Sequence, residues 1–147
     1  MSHADSQMLQ PSSADSPLHF SNLDGVLADG LSPEAVCAII KVYSCNVDPV
    51  MKILHLPAFR QSVESGSMYL DCQTNGALFR ALRSSTFYIT FCSITEAICL
   101  DRFGETKEVL RFRWQSITEH WLRKADITES HHIVLLQALI LYIVSMT

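Results

Sequence analysis

Six histidines and five cysteines carry most of the chemistry this chain could offer. They are His3, His19, His55, His120, His131 and His132, with Cys37, Cys45, Cys72, Cys92 and Cys99. A zinc site needs such ligands to converge, commonly at fixed short spacings. No Cys-x-x-Cys pair occurs, and the odd cysteine count spells out no disulfide framework. His131 and His132 are adjacent, so on a helix they point ~100° apart and read as a polar helix end. Cys92 and Cys99 on one helix would stand ~10 Å apart, too far for a disulfide. In "AVCAII" and "FYITFCSI" the thiols read as buried, reduced and small-hydrophobic, the state expected of an intracellular protein.

His55 sits in "NVDPVMKILHLPAF", residues 46–59, between Leu54 and Leu56 and between Pro49 and Pro57. A small helical enzyme or ligand carrier would use His55 with Tyr43. That reading rests only on a polar residue in an apolar corner, because no nucleophile or ligand partner is assigned to His55. No Gly-x-Ser-x-Gly elbow, phosphate loop or dinucleotide fingerprint occurs. "DRFGETK" at 101–107 has one glycine and reads as a helix-to-helix turn. No residue is therefore assigned as catalytic, cofactor-binding or metal-ligating, and the chain is expected not to be an enzyme.

The elements that would position such residues are helices. "LSPEAVCAIIKVYSCN" opens with Ser32 as a cap, Pro33 in the first turn and Glu34 at the positive end. Asp48-Pro49 stops that helix, because the residue before a proline is pushed out of the helical region. A short helix over Pro57–Glu64 follows, closed by Gly66. Residues 73–92 carry a stripe at 78, 82, 85, 89 and 92, the helical period. "SITE" at 93–96 reads as a capping box, with Ser93 starting a short helix that ends at Gly104.

Residues 105–125 place Leu110, Trp114, Ile117, Trp121 and Ala125 on one stripe. Glu105 and Glu108 near its start and Arg123 and Lys124 near its end suit the helix dipole. Glu119 and Arg123 form an i,i+4 pair. Trp114 and Trp121 read as core anchors, not as a base-stacking platform. Lys107, Arg111, Arg113, Arg123 and Lys124 are interleaved with glutamates, as on a solvated face. "DITE" at 126–129 caps a last helix from about residue 130. "IVLLQALILYIV" is apolar nearly all round, which marks a helix buried on several sides. Further elements should pack over it.

The bulk properties fit one globular domain. The 147 residues are 48% hydrophobic and 18% charged. A formal net charge of −4 argues against a nucleic-acid binder. Residues 1–31 form a Ser/Asp-rich tail, disordered by composition, with no lysine or arginine before Lys41. Met1 to Gln10 lacks the basic and apolar regions of a secretory signal. The apolar run Ile133–Val144 is 12 residues long, against the ~20 a membrane span needs, so no membrane partner is expected. The fold class expected is all-α, built of antiparallel helix hairpins.

Three stretches, in order, resemble one family. "NVDPVMKILHLPAF", "ITFCSITEAICLDRFGETKEVL" and "LLQALILYIV" look like segments of the middle homology region of fungal zinc binuclear-cluster transcription factors. The resemblance covers Leu31 to Thr147. It implies a nuclear, all-helical regulatory module in a protein controlling RNA polymerase II transcription of metabolic genes, including secondary-metabolite clusters. It also implies that the region modulates activity through protein contacts and does not read DNA. The family's DNA-binding unit needs six closely spaced cysteines around two zinc ions, and no such run precedes Cys37. Zinc is expected only in that missing unit, with no cofactor in this chain and no direct DNA binding. Residues 32–147 are thus expected to be the N-terminal part of the regulatory domain, truncated at both ends. The expected partners are proteins, including a homo- or heterodimer with a related factor. The alternative is a stand-alone helical interaction or dimerisation fragment.

Overall fold

Proline and glycine punctuate the chain where its helices begin and end. The computed structural model describes residues 31–125 and 132–147. The tail to residue 30, His3, His19, the "DITE" cap and His131 lie outside the described residues. All the described helices fall in one unit, Pro33–Thr147.

Helix α1 spans Pro33–Asn46 and stops ahead of Asp48-Pro49, as the sequence predicts. Helix α2, Leu56–Ser65, is closed by Gly66 at φ 79°, a left-handed conformation that suits glycine. The chain then makes a turn with no signal in its sequence. Tyr69 and Cys72 exchange both backbone hydrogen bonds, at 2.9 and 2.8 Å. Leu70 and Asp71 between them take φ 46° and 67°, a conformation that costs a residue with a side chain roughly 1–2 kcal/mol. Helix α3 consequently begins at Ala77, behind Gly76, and not at residue 73, and it ends at Cys92.

Helix α4, Glu96–Ile98, runs into a π-helical turn, Cys99–Phe103, that ends at Gly104 with φ 73°. The expected end holds, but Ser93 is not the cap. Its hydroxyl donates to the Thr90 carbonyl at 2.7 Å and closes α3. The Thr95 hydroxyl caps α4 instead, accepting from the Ile98 N–H at 3.3 Å. Helix α5 spans Lys107–Lys124, capped by Thr106. Glu105 therefore lies outside the helix, where it pairs with Arg113 at 2.5 and 2.6 Å. Helix α6, Ile133–Met146, is capped by His132 and begins later than residue 130.

The fold is all-α, with α3 at its centre, packed against α5, α6 and α1. Lys107 meets the end of α3 at Cys92, while Arg80 near its start lies over Trp121 at 4.9 Å. Helices α3 and α5 are therefore antiparallel. Tyr88 faces Tyr142, and Cys92 faces Ser145, so α6 runs in the same direction as α3.

The single stripe expected on α3 is only part of what it buries. Phe79, Ala81, Leu82 and every residue from Ser84 to Phe91 are buried. The hydroxyls of Ser84, Ser85, Thr86 and Thr90 donate to carbonyls three or four residues back, at 2.7 to 3.2 Å. Satisfied within their own helix, these groups enter the core without an orphaned polar atom. Phe87 and Phe91 pack on Trp114, and Phe91 also on Phe103. Phe79 joins Phe59 and Tyr69 at the other end.

Helix α5 buries Leu110, Trp114, Ile117, Thr118 and Leu122. Leu122 replaces Trp121 in the buried set, and Trp121 sits half-buried under Arg80. Among the described residues Glu119 does not pair with Arg123; its carboxylate accepts from the Tyr142 hydroxyl and the Gln115 amide instead. The last helix departs furthest from expectation. Helix α6 buries Val134, Leu135, Ala138, Leu141 and Ser145 but leaves Ile133, Leu136, Ile143 and Val144 exposed. No described element packs over that face.

Candidate functional site

The proline corner that holds His55 is built as a joint. The His55 imidazole caps α2, its Nδ1 accepting from the Ala58 N–H at 3.3 Å. Its backbone N–H donates to the Tyr69 hydroxyl at 3.2 Å. That hydroxyl donates onward to Oε1 of Gln137 at 3.2 Å, and Nε2 of Gln137 donates to the Ile53 carbonyl at 2.8 Å. Burial, the largest influence, raises the Tyr69 phenol's pKa, and the bonds to His55 and Gln137 work against it. One amide inside an apolar helix thus ties the corner of residues 46–59 to α6. Gln137 carried a signal in the sequence, as the amide that interrupts "IVLLQALILYIV".

Tyr43 does not join His55. It is fully buried, its hydroxyl has no hydrogen-bond partner among the described residues, and burial followed by the charge of Asp48 raises its pKa. The His55 ring is exposed and occupied as a cap. The two therefore form no catalytic pair.

A second contact was not foreseen. Cys72 Sγ lies 3.7 Å from Nδ1 and 3.6 Å from Nε2 of His132. Near-equal distances to both nitrogens mean the sulfur sits against the ring. The Nδ1 atom already accepts from the Val134 N–H at 3.1 Å. Burial, then the charge of Asp71, pushes the Cys72 thiol up, the opposite of an activated nucleophile. The pair is packing, as a polar helix end would be. His120 stacks edge-on against Trp121 at 4.9 Å.

All five cysteines are free. Cys72 and Cys99 are buried and Cys92 is half-buried, whereas Cys37, expected to be buried in "AVCAII", lies exposed on α1 with Cys45. Among the described residues, no group of three or more potential ligands could hold a metal ion. No helix of the described residues is long and apolar enough to cross a membrane.

One open cleft of about 430 Å³ lies where α1, α3 and α6 end and α5 begins. Val47, Val50, Met51, Ile89 and Val144 give it an aliphatic wall, and Asn46, Ser93, Lys107 and Arg111 a polar one. Lys107 Nζ donates to the Cys92 carbonyl at 3.1 Å. Arg111 lies against the Cys92 thiol and the Tyr88 hydroxyl. Asn46 Nδ2 reaches Ser93 at 3.3 to 3.4 Å. Three helix C-termini leave negative dipole ends of about half a charge each here, which the two cations outweigh. The Cys92 thiol is raised by burial and drawn partly back by Arg111 and Lys107. Sequence reading placed both cations on a solvated face, because only the fold brings them beside Asn46 and Val144. The cleft sets two cations against an apolar wall.

Relatives of the chain are transcription factors. A stretch of 112 residues, 76% of the chain, is 34% identical to the C6 finger domain transcription factor nscR of Arthroderma otae, covering 16% of that protein. Transcription factor vrtR2 of Penicillium aethiopicum is 33% identical over 81% of the chain and 14% of its own length. The C6 finger domain transcription factor adaR of Aspergillus niger is 30% identical over 78% of the chain and 15% of its own length. The chain thus spans 14–16% of the length of these curated relatives. No protein-family model matches it, and no solved structure matches it significantly. These relatives are named as transcription factors, not as enzymes. Over three quarters of its residues, the chain is homologous to a limited stretch of C6 finger transcription factors.

Proposed function

We propose that the chain is a regulatory, protein-contacting module of fungal transcription control, corresponding to part of the middle homology region. In this reading it works in the nucleus on RNA polymerase II transcription of metabolic genes, secondary-metabolite clusters among them. It does so through other proteins, a related transcription factor included, and does not itself contact DNA. The observation that carries the reading is the 34% identity to a C6 finger factor over 112 residues. The net charge of −4 supports a module that leaves DNA to another unit.

The test fuses the chain to a heterologous DNA-binding domain in a fungal host with a matching reporter. The fusion should raise or lower reporter output relative to the DNA-binding domain alone. The unfused chain should shift no DNA probe with or without zinc. An inert fusion, or zinc-dependent binding to a defined DNA site, would overturn the reading.

A further inference from the structure

The exposed face of α6 has a spacing of its own. Ile133, Leu136, Ile140 and Ile143 follow one another at steps of three, four and three, Ile140 half-buried and the other three exposed. That is the repeat of a seam packed against another helix. A core-facing stripe on α6 is already used, by Val134, Ala138, Leu141 and Ser145. The second seam lies on the opposite side, with Ile133 51%, Leu136 52% and Ile143 58% exposed. Beside its C-terminal end, Val144 joins this face to the wall of the cleft that holds Lys107 and Arg111. Among the described residues, neither cation is ion-paired: the salt bridges are Lys52–Asp48 and Arg113–Glu105.

We propose that this seam and the cleft mouth together dock an amphipathic partner helix with a matching apolar seam and carboxylates at one end. Both halves of the surface argue for that occupant. The seam repeats with helical period over about 15 Å, so it fits a helix of three turns. The cations at one end select negative charge there. A second copy of the chain fits less well, since its own seam helix, α6, carries no carboxylate side chain to meet the cations. Glutamates at the partner's N-terminal end also suit its own dipole, which sets it antiparallel to α6. The inference deepens the proposed function by naming the contact through which such a module works.

The test is a fluorescence-anisotropy titration of the whole chain with two designed 18-residue helical peptides. Both carry leucines at three-four spacing; one has two N-terminal glutamates and the other two glutamines. The glutamate peptide should bind about tenfold more tightly at low salt, with the gap closing as salt rises. Leu136→Glu with Ile143→Glu should abolish binding of both. Lys107→Glu with Arg111→Glu should erase the glutamate preference. Circular dichroism checks that each variant stays folded, and the salt dependence of the unaltered chain tests the charge half if one does not. Equal binding of both peptides, no binding, or a concentration-dependent dimer that Leu136→Glu disperses would each overturn the proposal. Because no reporter is involved, such a failure leaves the transcriptional reading to be judged by its own assay.

Discussion

Helices α3 and α6 invert what their sequences suggest. The first, ALFRALRSSTFYITFC, holds two arginines and five hydroxyl-bearing Ser, Thr and Tyr residues, yet it is buried on nearly every side. The second, IVLLQALILYIVSM, is far more apolar, yet one face stands open. In α3 the Ser and Thr hydroxyls are satisfied by their own helix, so polarity does not bar them from the core. In α6 the surplus of apolar side chains exceeds what α3 and α5 can cover. Composition therefore describes the environment for which a helix is suited, and a mismatch with the observed burial marks a missing neighbour.

The strongest way to break this comparison is to cut into α3. Phe91→Ala removes a fully buried ring packed on Phe103 and Trp114, and should cost about 3–5 kcal/mol in urea unfolding. A loss no greater than that of an exposed site would deny α3 its central place.

Next is the amide that interrupts α6. Gln137→Leu makes the helix still more apolar but strands the Ile53 carbonyl and removes a partner of Tyr69. A loss of about 1–3 kcal/mol is expected, with faster amide exchange across the corner of residues 47–55. If the variant is more stable, the amide does not join the corner to α6.

The junction of α5 and α6 gives a pH test. Burial, then the Glu119 carboxylate, pushes the Tyr142 phenol from its ordinary 10.0 up to about 12. The unfolded chain loses that proton first, so the contribution is intact below pH 10 and is lost between about pH 10 and 12. The stability advantage of the natural chain over Tyr142→Phe should shrink across that window in thermal melts. Tyr43, Tyr69 and Tyr88 shift in the same direction, so both proteins should weaken in alkali.

The smallest effect belongs to the open seam. Leu136→Gln should change stability by no more than about 0.5 kcal/mol, because no described element covers that side chain. A loss comparable to that of Phe91→Ala would mean the face is already buried.

Much of this architecture was legible in residue order. Asp48-Pro49, Pro57, Gly66 and Gly104 each mark a helix limit found in the structure, because proline and glycine act on the local backbone. Caps were harder. Ser93 and Thr95 are both plausible caps, and only the hydroxyl's direction decides between them. His55 and His132 cap helices through a ring nitrogen, a role usually filled by Ser, Thr, Asp or Asn. The left-handed turn at Leu70 and Asp71 carries neither glycine nor asparagine, so it was hidden. The cleft was hidden too, since it draws on four elements distant in sequence. The uncovered seam lay in plain view, but its exposure depends on what packs beside α6.

Hydrogen exchange with mass spectrometry, on the chain alone and with saturating glutamate peptide, tests the docking face most directly. Helix α3 should be the most protected of the described helices in both states. Added protection should be confined to α6 and to the start of α5 at Lys107–Arg111. Protection gained instead on α1 or α2, or none at all despite measured binding, would contradict it.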